Sequence, residues 1–147
     1  MKSVVTVEIH RPRREVAMLL ADPANMTKWM DDLAAFEYID GEPGAIGVRY
    51  RMVGKPGARQ QDFVATVTAM HLPEWYSLAL KSRSVDVLID VTFTAPAKDR
   101  TKLRSEEKFV FHGLFRRLLS LFARGDIRRH HREHMESFKR FVEGRPT

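Results

Sequence analysis

Hydrophobic and polar residues alternate over most of the chain, and this period of two predicts a sheet of seven strands. In the first strand Val5, Val7 and Ile9 share one face, while polar residues occupy the other. Six further runs with the same spacing lie between residues 36 and 111, separated by turn sequences such as residues 40–44. Closely spaced strands joined by turns indicate an antiparallel sheet.

Two short helices are predicted between the first and second strands. Pro12 suits a first helical turn, and an apolar stripe follows it up to Leu20. Asp22 can cap a second helix in which Pro23 takes the first position, where no amide hydrogen is needed. Trp29 lies on the apolar side of this second helix.

The C-terminal segment is helical but not uniform. Its apolar residues form two arcs that differ by more than 90° around the helix axis, and Gly125 lies where they change over. The first arc contains Leu114, Leu118, Leu121 and Phe122, and the second contains Ile127, Met135, Phe138 and Val142. This phase change predicts a short helix over 114–123, a break at Gly125, and a longer helix over 126–143 with Asp126 as its cap.

Composition limits the class of protein. A chain of 147 residues fits one domain, 1–147, and the absence of cysteine excludes disulfides and thiolate chemistry. No apolar run reaches the roughly 18 residues of a membrane span, so cytoplasmic residence is expected. Of the net charge of +6, residues 113–147 contribute +5, with 9 basic and 4 acidic side chains.

The order strand, two short helices, six strands and long C-terminal helix resembles the START-like helix-grip (SRPBCC) superfamily, in its polyketide cyclase/dehydrase-like branch. The sequence around Asp22-Pro23 and Trp29, the Gly44-x-x-Gly47 turn and the terminal Met135-x-x-Phe138 are also similar. The resemblance implies an α+β helix-grip fold, in which a curved seven-stranded antiparallel sheet wraps around the C-terminal helix.

The resemblance also implies a cavity between the sheet and that helix, but no shared catalytic signature. We therefore expect binding of a hydrophobic small molecule or lipid, without a cofactor. The first alternative is a polyketide cyclase or dehydratase-type enzyme that uses Glu107 and a helix histidine. The second is an interaction module that docks through its basic C-terminal helices.

Glu107 is the main candidate for chemistry. It shares strand parity with Leu103, Ser105 and Phe109, so its carboxylate is expected to face inward, where burial would raise its pKa. A local bulge, or an arginine at the sheet edge, is the alternative that would remove this role.

His131 and His134 lie within or beside the apolar arc of the long helix. An imidazole in that position is either a hydrogen-bonded core residue or a group that contacts the ligand or transfers protons. His130-x-x-Glu133-His134 also has the spacing of a metal-binding helix motif. No third ligand follows it except Glu136 and Glu143, and nothing near Asp31-Asp32 in the sequence completes a site, so no metal is expected.

The remaining expectations concern the cavity lining and the partners. The predicted ligand-binding residues are Trp29, Met30, Tyr50, Met52, Tyr76, Ser105, Glu107, Phe109, His131, His134, Met135 and Phe138. No specific nucleic-acid partner is expected, because the basic residues lack interleaved exposed aromatic residues. Two partner hypotheses remain open: peripheral membrane contact through Arg117, Arg124, Arg128 and Arg132, and a homodimer.

Overall fold

The fold is an α+β helix-grip, seen in a computed structural model that describes residues 1–57, 62–113 and 124–147. Seven strands and three α-helices are described. The strands are β1 (Lys2–Ile9), β2 (Leu33–Asp40), β3 (Arg49–Gly54), β4 (Phe63–His71), β5 (Trp75–Lys81), β6 (Val85–Ala97) and β7 (Arg100–Phe111). The helices are α1 (Arg13–Ala21), α2 (Met26–Trp29) and α3 (Arg124–Glu143).

All seven strands form one antiparallel sheet in the order β1-β7-β6-β5-β4-β3-β2. From β2 to β7, each strand pairs with the next strand along the chain. β1 pairs instead with β7, so β1 and β2 are the two edge strands and the connection between them crosses the sheet. The predicted alternation is confirmed. In β1, for example, Ser3, Val5, Val7 and Ile9 are buried and the residues between them are exposed.

The register places one row of inward-facing residues across the middle of the sheet. Ser3 is opposite Glu107, Glu107 is opposite Ile89, and Ile89 is opposite Leu78. Inward-facing residues in such a row lie side by side on the concave face. This row passes directly beneath the N-terminal half of α3, because His131 contacts Ser3.

The two short helices connect β1 to β2 as predicted. Pro12 immediately precedes α1, which buries Val16 and Leu20. Asp22 caps the following turn by accepting a hydrogen bond from the Ala24 amide at 3.0 Å, and Pro23 is the first residue of a 3₁₀ turn that leads into α2. The cap satisfies a backbone amide at the start of this turn, directly after α1 ends.

Helix α3 buries Met135, Phe138 and Val142 in the core, which is the second apolar arc. The longer helix predicted over 126–143 is present and begins at Arg124, so Gly125 lies in its first turn without positive φ. The residues immediately before Arg124, on which the predicted break depends, lie outside the described residues. Asp126 lies in the first turn of the helix and is not its cap. The helix expected over 114–123 lies outside the described residues.

The C-terminal end of α3 is tied to the start of α1. Arg11 donates hydrogen bonds to the carbonyl oxygens of Glu143 and Arg145, both at 2.9 Å, and the His10 amide donates to the Glu143 carboxylate. These bonds satisfy acceptors that a helix end leaves unpaired. None of the described helices combines the length and hydrophobicity needed to cross a membrane.

Candidate functional site

The inward face of β7 changes from tightly packed to partly open along its length. Thr101, Leu103 and Ser105 are buried, whereas Glu107, Phe109 and Phe111 keep accessible surface. Because these residues alternate with outward-facing ones, all six point to the concave side. The accessible part of this face of β7 therefore begins at Glu107 and continues through Phe109 and Phe111.

Glu107 is a desolvated carboxyl where this accessible part of the face begins. Its side chain is 16% exposed, and its nearest ionisable neighbour is His131, with Glu107 Oε1 3.6 Å from His131 Nδ1. No described residue forms a hydrogen bond with the carboxyl. Burial raises the pKa of Glu107 to about 7, against a smaller opposing effect of the charge on His134.

His131 is held between two serines on neighbouring strands, which we call the serine–histidine cluster. His131 Nδ1 lies 2.8 Å from Ser3 Oγ, and His131 Nε2 lies 2.9 Å from Ser105 Oγ. Both ring nitrogens are thus paired, one donating and one accepting, as a neutral imidazole requires. The serine–histidine cluster fixes α3 to β1 and β7 at the level of Glu107.

His131 carries no charge at neutral pH. Burial, followed by the charges of His134, Arg132 and His130, lowers the pKa of His131 to about 4. The 3.6 Å contact with Glu107 is consequently not an ion pair. The two residues are adjacent, but the imidazole does not neutralise the carboxylate.

Aromatic hydroxyls lie farther across the concave face. Tyr50 stacks on Phe36 with ring centroids 4.7 Å apart, and burial raises the pKa of Tyr50. Tyr76 is more deeply placed, and burial raises its pKa to about 12. Both hydroxyls remain protonated at neutral pH and can act as hydrogen-bond donors to a bound molecule.

The other predicted lining residues divide into two groups. Met52 and Phe138 are fully buried, and Trp29 and Met135 are nearly so, so they pack the core. Met30 is half-buried. Trp29 lies edge-on to both Phe138 and His134, and its indole N–H has no hydrogen-bond partner among the described residues.

His134 belongs to a second polar group, away from the serine–histidine cluster. His134 Nε2 lies 3.1 Å from Asp32 Oδ1, His130 Nε2 lies 2.8 Å from Asp32 Oδ2, and the two Nε2 atoms are 3.0 Å apart. We call these residues the Asp32–His130–His134 cluster. Nothing near Asp32 in the sequence completes a metal-ligating set, but the fold brings two histidines of α3 to it, and one ligand atom from each of the three residues lies within 4.8 Å of the others.

Charge and burial compete within the Asp32–His130–His134 cluster. Burial would raise the pKa of Asp32, but the hydrogen bond and charge of His134, with that of His130, outweigh it and lower the pKa. Burial and then His134 lower the pKa of His130. Asp32 is therefore ionised at neutral pH and supplies a negative charge to both rings.

The arginines proposed for membrane contact are only partly described. Arg128 and Arg132 are exposed on α3, and Arg132 lies 3.7 Å from Glu136. Arg117 lies outside the described residues, as does the side chain of Arg124. Membrane contact therefore stays a prediction.

A surface pocket of about 470 Å³ lies at β3, β4 and the end of β5. Arg51, Asp62, Lys81 and Arg83 are among its lining residues, and Glu107 is not. Phe63 and Val64 also line this pocket. The candidate site is placed at Glu107 on the orientation and burial of its carboxyl, and it is separate from this pocket.

Three members of these groups, Ser3, Asp32 and His130, are not among the site residues predicted from the sequence. Ser3 shares the strand parity of Val5, Val7 and Ile9, so its inward orientation was available from the pattern. Asp32 gave no such signal, because its position beside His130 depends on how α2 packs against α3. The link is a hydrogen bond from the Ser137 hydroxyl to the Trp29 carbonyl oxygen.

Residues 1–143 match the family described as polyketide cyclase/dehydrase and lipid transport. The chain belongs to this family. The match takes in the single sheet and the whole of its long C-terminal helix, so one family accounts for every element described above. No curated protein sequence matches the chain.

Solved structures share the fold at low sequence identity. A protein from Thermus thermophilus has a TM-score of 0.78 at 13% identity, covering 98% of both chains. Ara h 8.0201 has a TM-score of 0.76 at 12% identity, covering 99% of both. Norcoclaurine synthase from Thalictrum flavum, in complex with dopamine and hydroxybenzaldehyde, has a TM-score of 0.72 at 11% identity, covering 100% of this chain and 90% of its own. These similarities establish the helix-grip fold.

Proposed function

We propose that the protein binds a hydrophobic small molecule or lipid whose polar group hydrogen-bonds to Glu107. The observation that carries this proposal is the carboxyl of Glu107, which faces the concave side without a hydrogen bond from any described residue. A carboxylate buried in this way costs folding free energy. A ligand that donates a hydrogen bond to it would recover part of that cost.

The surroundings of Glu107 favour a mainly apolar ligand. Ile89 and Leu78 continue its row across the sheet, and Phe109 and Phe111 stack on each other at the open end. Binding sites for small molecules commonly combine such apolar surface with a few polar groups. A rigid aromatic or alicyclic molecule with one hydroxyl or amine fits this combination.

The test compares two probes that differ by one hydroxyl group, 2-naphthol and naphthalene, in fluorescence titrations at pH 8. At this pH Glu107 is mainly ionised, because its pKa is about 7. Replacing a charged acceptor by a neutral one in Glu107→Gln should weaken 2-naphthol roughly fivefold to tenfold. Naphthalene should bind both proteins with affinities within about a factor of two.

The matched control is Glu106→Gln, which removes the same charge from the adjacent residue. Glu106 pairs with Lys2 at 3.0 Å and with Arg104 on the outer face of the sheet. Glu106→Gln should leave the affinities for 2-naphthol and naphthalene unchanged. Equal weakening of both probes by Glu107→Gln, or failure of the wild type to bind either, would overturn the proposal.

A second candidate function is acid–base catalysis of the cyclase or dehydratase type, and one observation favours it. A carboxyl with a pKa of about 7 exists in both protonation states at neutral pH, which suits a group that both accepts and donates protons. His131, which is uncharged and lies 3.6 Å away, would hold the Glu107 carboxyl in position and would not transfer the proton itself. With a linear poly-β-ketone as the probe, Glu107→Gln would abolish cyclisation while sparing binding. Binding without turnover by the wild type would exclude this candidate and leave the binding proposal intact.

A further inference from the structure

The Asp32–His130–His134 cluster brings the ligand atoms of three metal-ligating residues together at spacings close to those found around a single ion. His130 Nε2 lies 2.8 Å from Asp32 Oδ2, His134 Nε2 lies 3.1 Å from Asp32 Oδ1, and the two Nε2 atoms lie 3.0 Å apart. The two rings thus contact different oxygens of the carboxylate, and one ligand atom from each of the three residues lies within 4.8 Å of the others. Ligand atoms bound at about 2.0–2.2 Å to one zinc ion lie roughly 2.9–3.4 Å apart, depending on whether their angles are octahedral or tetrahedral. An ion between the two rings and the carboxylate, bound through either or both carboxylate oxygens, would therefore need only modest movement of the side chains.

We propose that Asp32, His130 and His134 form a binding site for a divalent transition metal such as Zn²⁺. Two imidazole nitrogens and one carboxylate oxygen are a ligand set that zinc and related metals accept. Three protein ligands leave at least one coordination position for water or another small ligand. This proposal does not depend on the proposed function, because it concerns side chains other than Glu107.

The backbone holds these side chains in place. His130 and His134 are one turn apart on α3, so both rings point to the same side, with centroids 4.2 Å apart. Asp32 lies in the turn between α2 and β2, where its carbonyl oxygen accepts a hydrogen bond from the Lys55 amide at 2.9 Å. Trp29 packs edge-on against His134. Ligands on rigid elements lose little conformational entropy when an ion binds.

The cluster is also accessible and has a suitable charge. The side chains of Asp32, His130 and His134 are 20%, 24% and 14% exposed, so an ion can reach them from solvent. Without a metal, at least one proton must lie among these atoms, since two nitrogen lone pairs and a carboxylate would repel one another. A divalent ion replaces that proton and pairs with all three groups at once.

The test is a titration of the chelator-treated full chain with Zn²⁺ by calorimetry, and with Co²⁺ by visible absorption. The wild type should bind one equivalent of metal ion, and bound Co²⁺ should show the visible ligand-field bands of a low-coordinate site. Asp32→Asn and His134→Gln should each lose the one-equivalent step and the bands. Zn²⁺ should raise the midpoint of thermal unfolding of the wild type but not of these variants.

The matched control is His112→Gln. His112 pairs with a single carboxylate, Asp86, at 3.1 Å, so it resembles one half of the cluster without a second histidine. Its loss should leave the stoichiometry and the bands unchanged. Weak binding of several equivalents that persists in Asp32→Asn would mean adventitious binding and would overturn the proposal, as would no binding by the wild type. If His134→Gln does not fold, as judged by circular dichroism, Asp32→Asn, which keeps the side-chain shape, decides the question.

Discussion

At the scale of the residue, Glu107 and His131 are neighbours whose environments push their pKa values in opposite directions. Burial raises the pKa of Glu107 to about 7 and lowers the pKa of His131 to about 4. The directions are opposite because burial disfavours the charged form of each group, and one group is an acid and the other a base. The two residues also differ in hydrogen bonding: both nitrogens of His131 are paired with serines, whereas Glu107 has no hydrogen-bond partner among the described residues. His131 is thus a satisfied core residue, and Glu107 is the group left free to contact a ligand.

Glu107 should make stability depend on pH. In the unfolded chain its pKa is near 4.5, so between pH 4.5 and 7 the folded state binds more protons than the unfolded state. The stability that the protonated carboxyl contributes is present below pH 4.5 and is lost as the pH rises through 7. Glu107→Gln removes this dependence. Relative to the wild type, the variant should gain about 2–3 kcal/mol in free energy of unfolding between pH 5 and pH 8.

The measurement is urea denaturation of both proteins at pH 5 and pH 8 in the presence of a chelator. The difference between variant and wild type must be used, because His131 acts in the opposite direction. Its pKa is lowered, so its contribution is present above pH 6.5 and is lost as the pH falls towards 4. In the wild type alone, the two contributions to the pH dependence of the free energy of unfolding oppose each other and cannot be separated. A difference that does not change with pH would mean that the Glu107 carboxyl is solvated.

At the scale of the element, the strands and the first two helices follow from local patterns, whereas the details of α3 do not. Alternation of period two depends only on neighbours along the chain, so it located all seven strands and the inward orientation of Glu107. Asp22-Pro23 likewise specifies its own cap. The phase argument at Gly125 was weaker, because glycine can also adopt a helical conformation.

Contacts between elements could not be predicted in the same way. The alternation in β1 and β7 predicts that Ser3 and Ser105 face inward. It does not predict that His131 lies between them. The Asp32–His130–His134 cluster requires α2 and α3 to pack at one particular height, which the Ser137 hydrogen bond to Trp29 reflects. The contacts of His131 and the Asp32–His130–His134 cluster therefore depend on tertiary packing that no local pattern encodes, whereas the orientation of Glu107 does not.

Two glycines should respond in opposite ways to substitution by alanine. Gly125 lies in the first turn of α3 without positive φ, and an added Cβ would meet nothing within 4 Å. Gly125→Ala should therefore stabilise the protein by up to about 1 kcal/mol, by lowering the entropy of the unfolded chain. Gly41 has a φ of +89°, and its Cβ would lie 2.7 Å from Val48 Cα. Gly41→Ala should destabilise the protein by more than about 1 kcal/mol.

Urea denaturation of both variants against the wild type checks this pair. Gly41→Ala is the positive control, because it should show how much stability is lost when alanine replaces a glycine with positive φ. A clear loss of stability in Gly125→Ala would contradict this prediction. It would mean that Gly125 adopts a conformation that alanine cannot adopt.

At the scale of the whole molecule, the two ends of the sheet are built differently. At one end, Arg11 and His10 bind the C-terminal turn of α3, and the Thr101 hydroxyl donates to the Arg11 carbonyl oxygen at 2.8 Å. At the other end, Phe109 and Phe111 are only half-buried. One end therefore holds α3 against the sheet, and the other offers surface that a ligand can cover.

This asymmetry predicts where a ligand should slow amide hydrogen exchange. With 2-naphthol as the probe, peptides covering 85–89 and 107–111 should exchange more slowly, because the ligand restricts opening of the strands that it contacts. Peptides covering 5–9 and 101–105 should not change, since their side chains are already buried. Mass spectrometry after timed exchange resolves these segments, and Glu107→Gln should reduce the protection at a fixed probe concentration. Protection confined to the end at Arg11, or spread evenly over the sheet, would place the ligand elsewhere and contradict a site at Glu107.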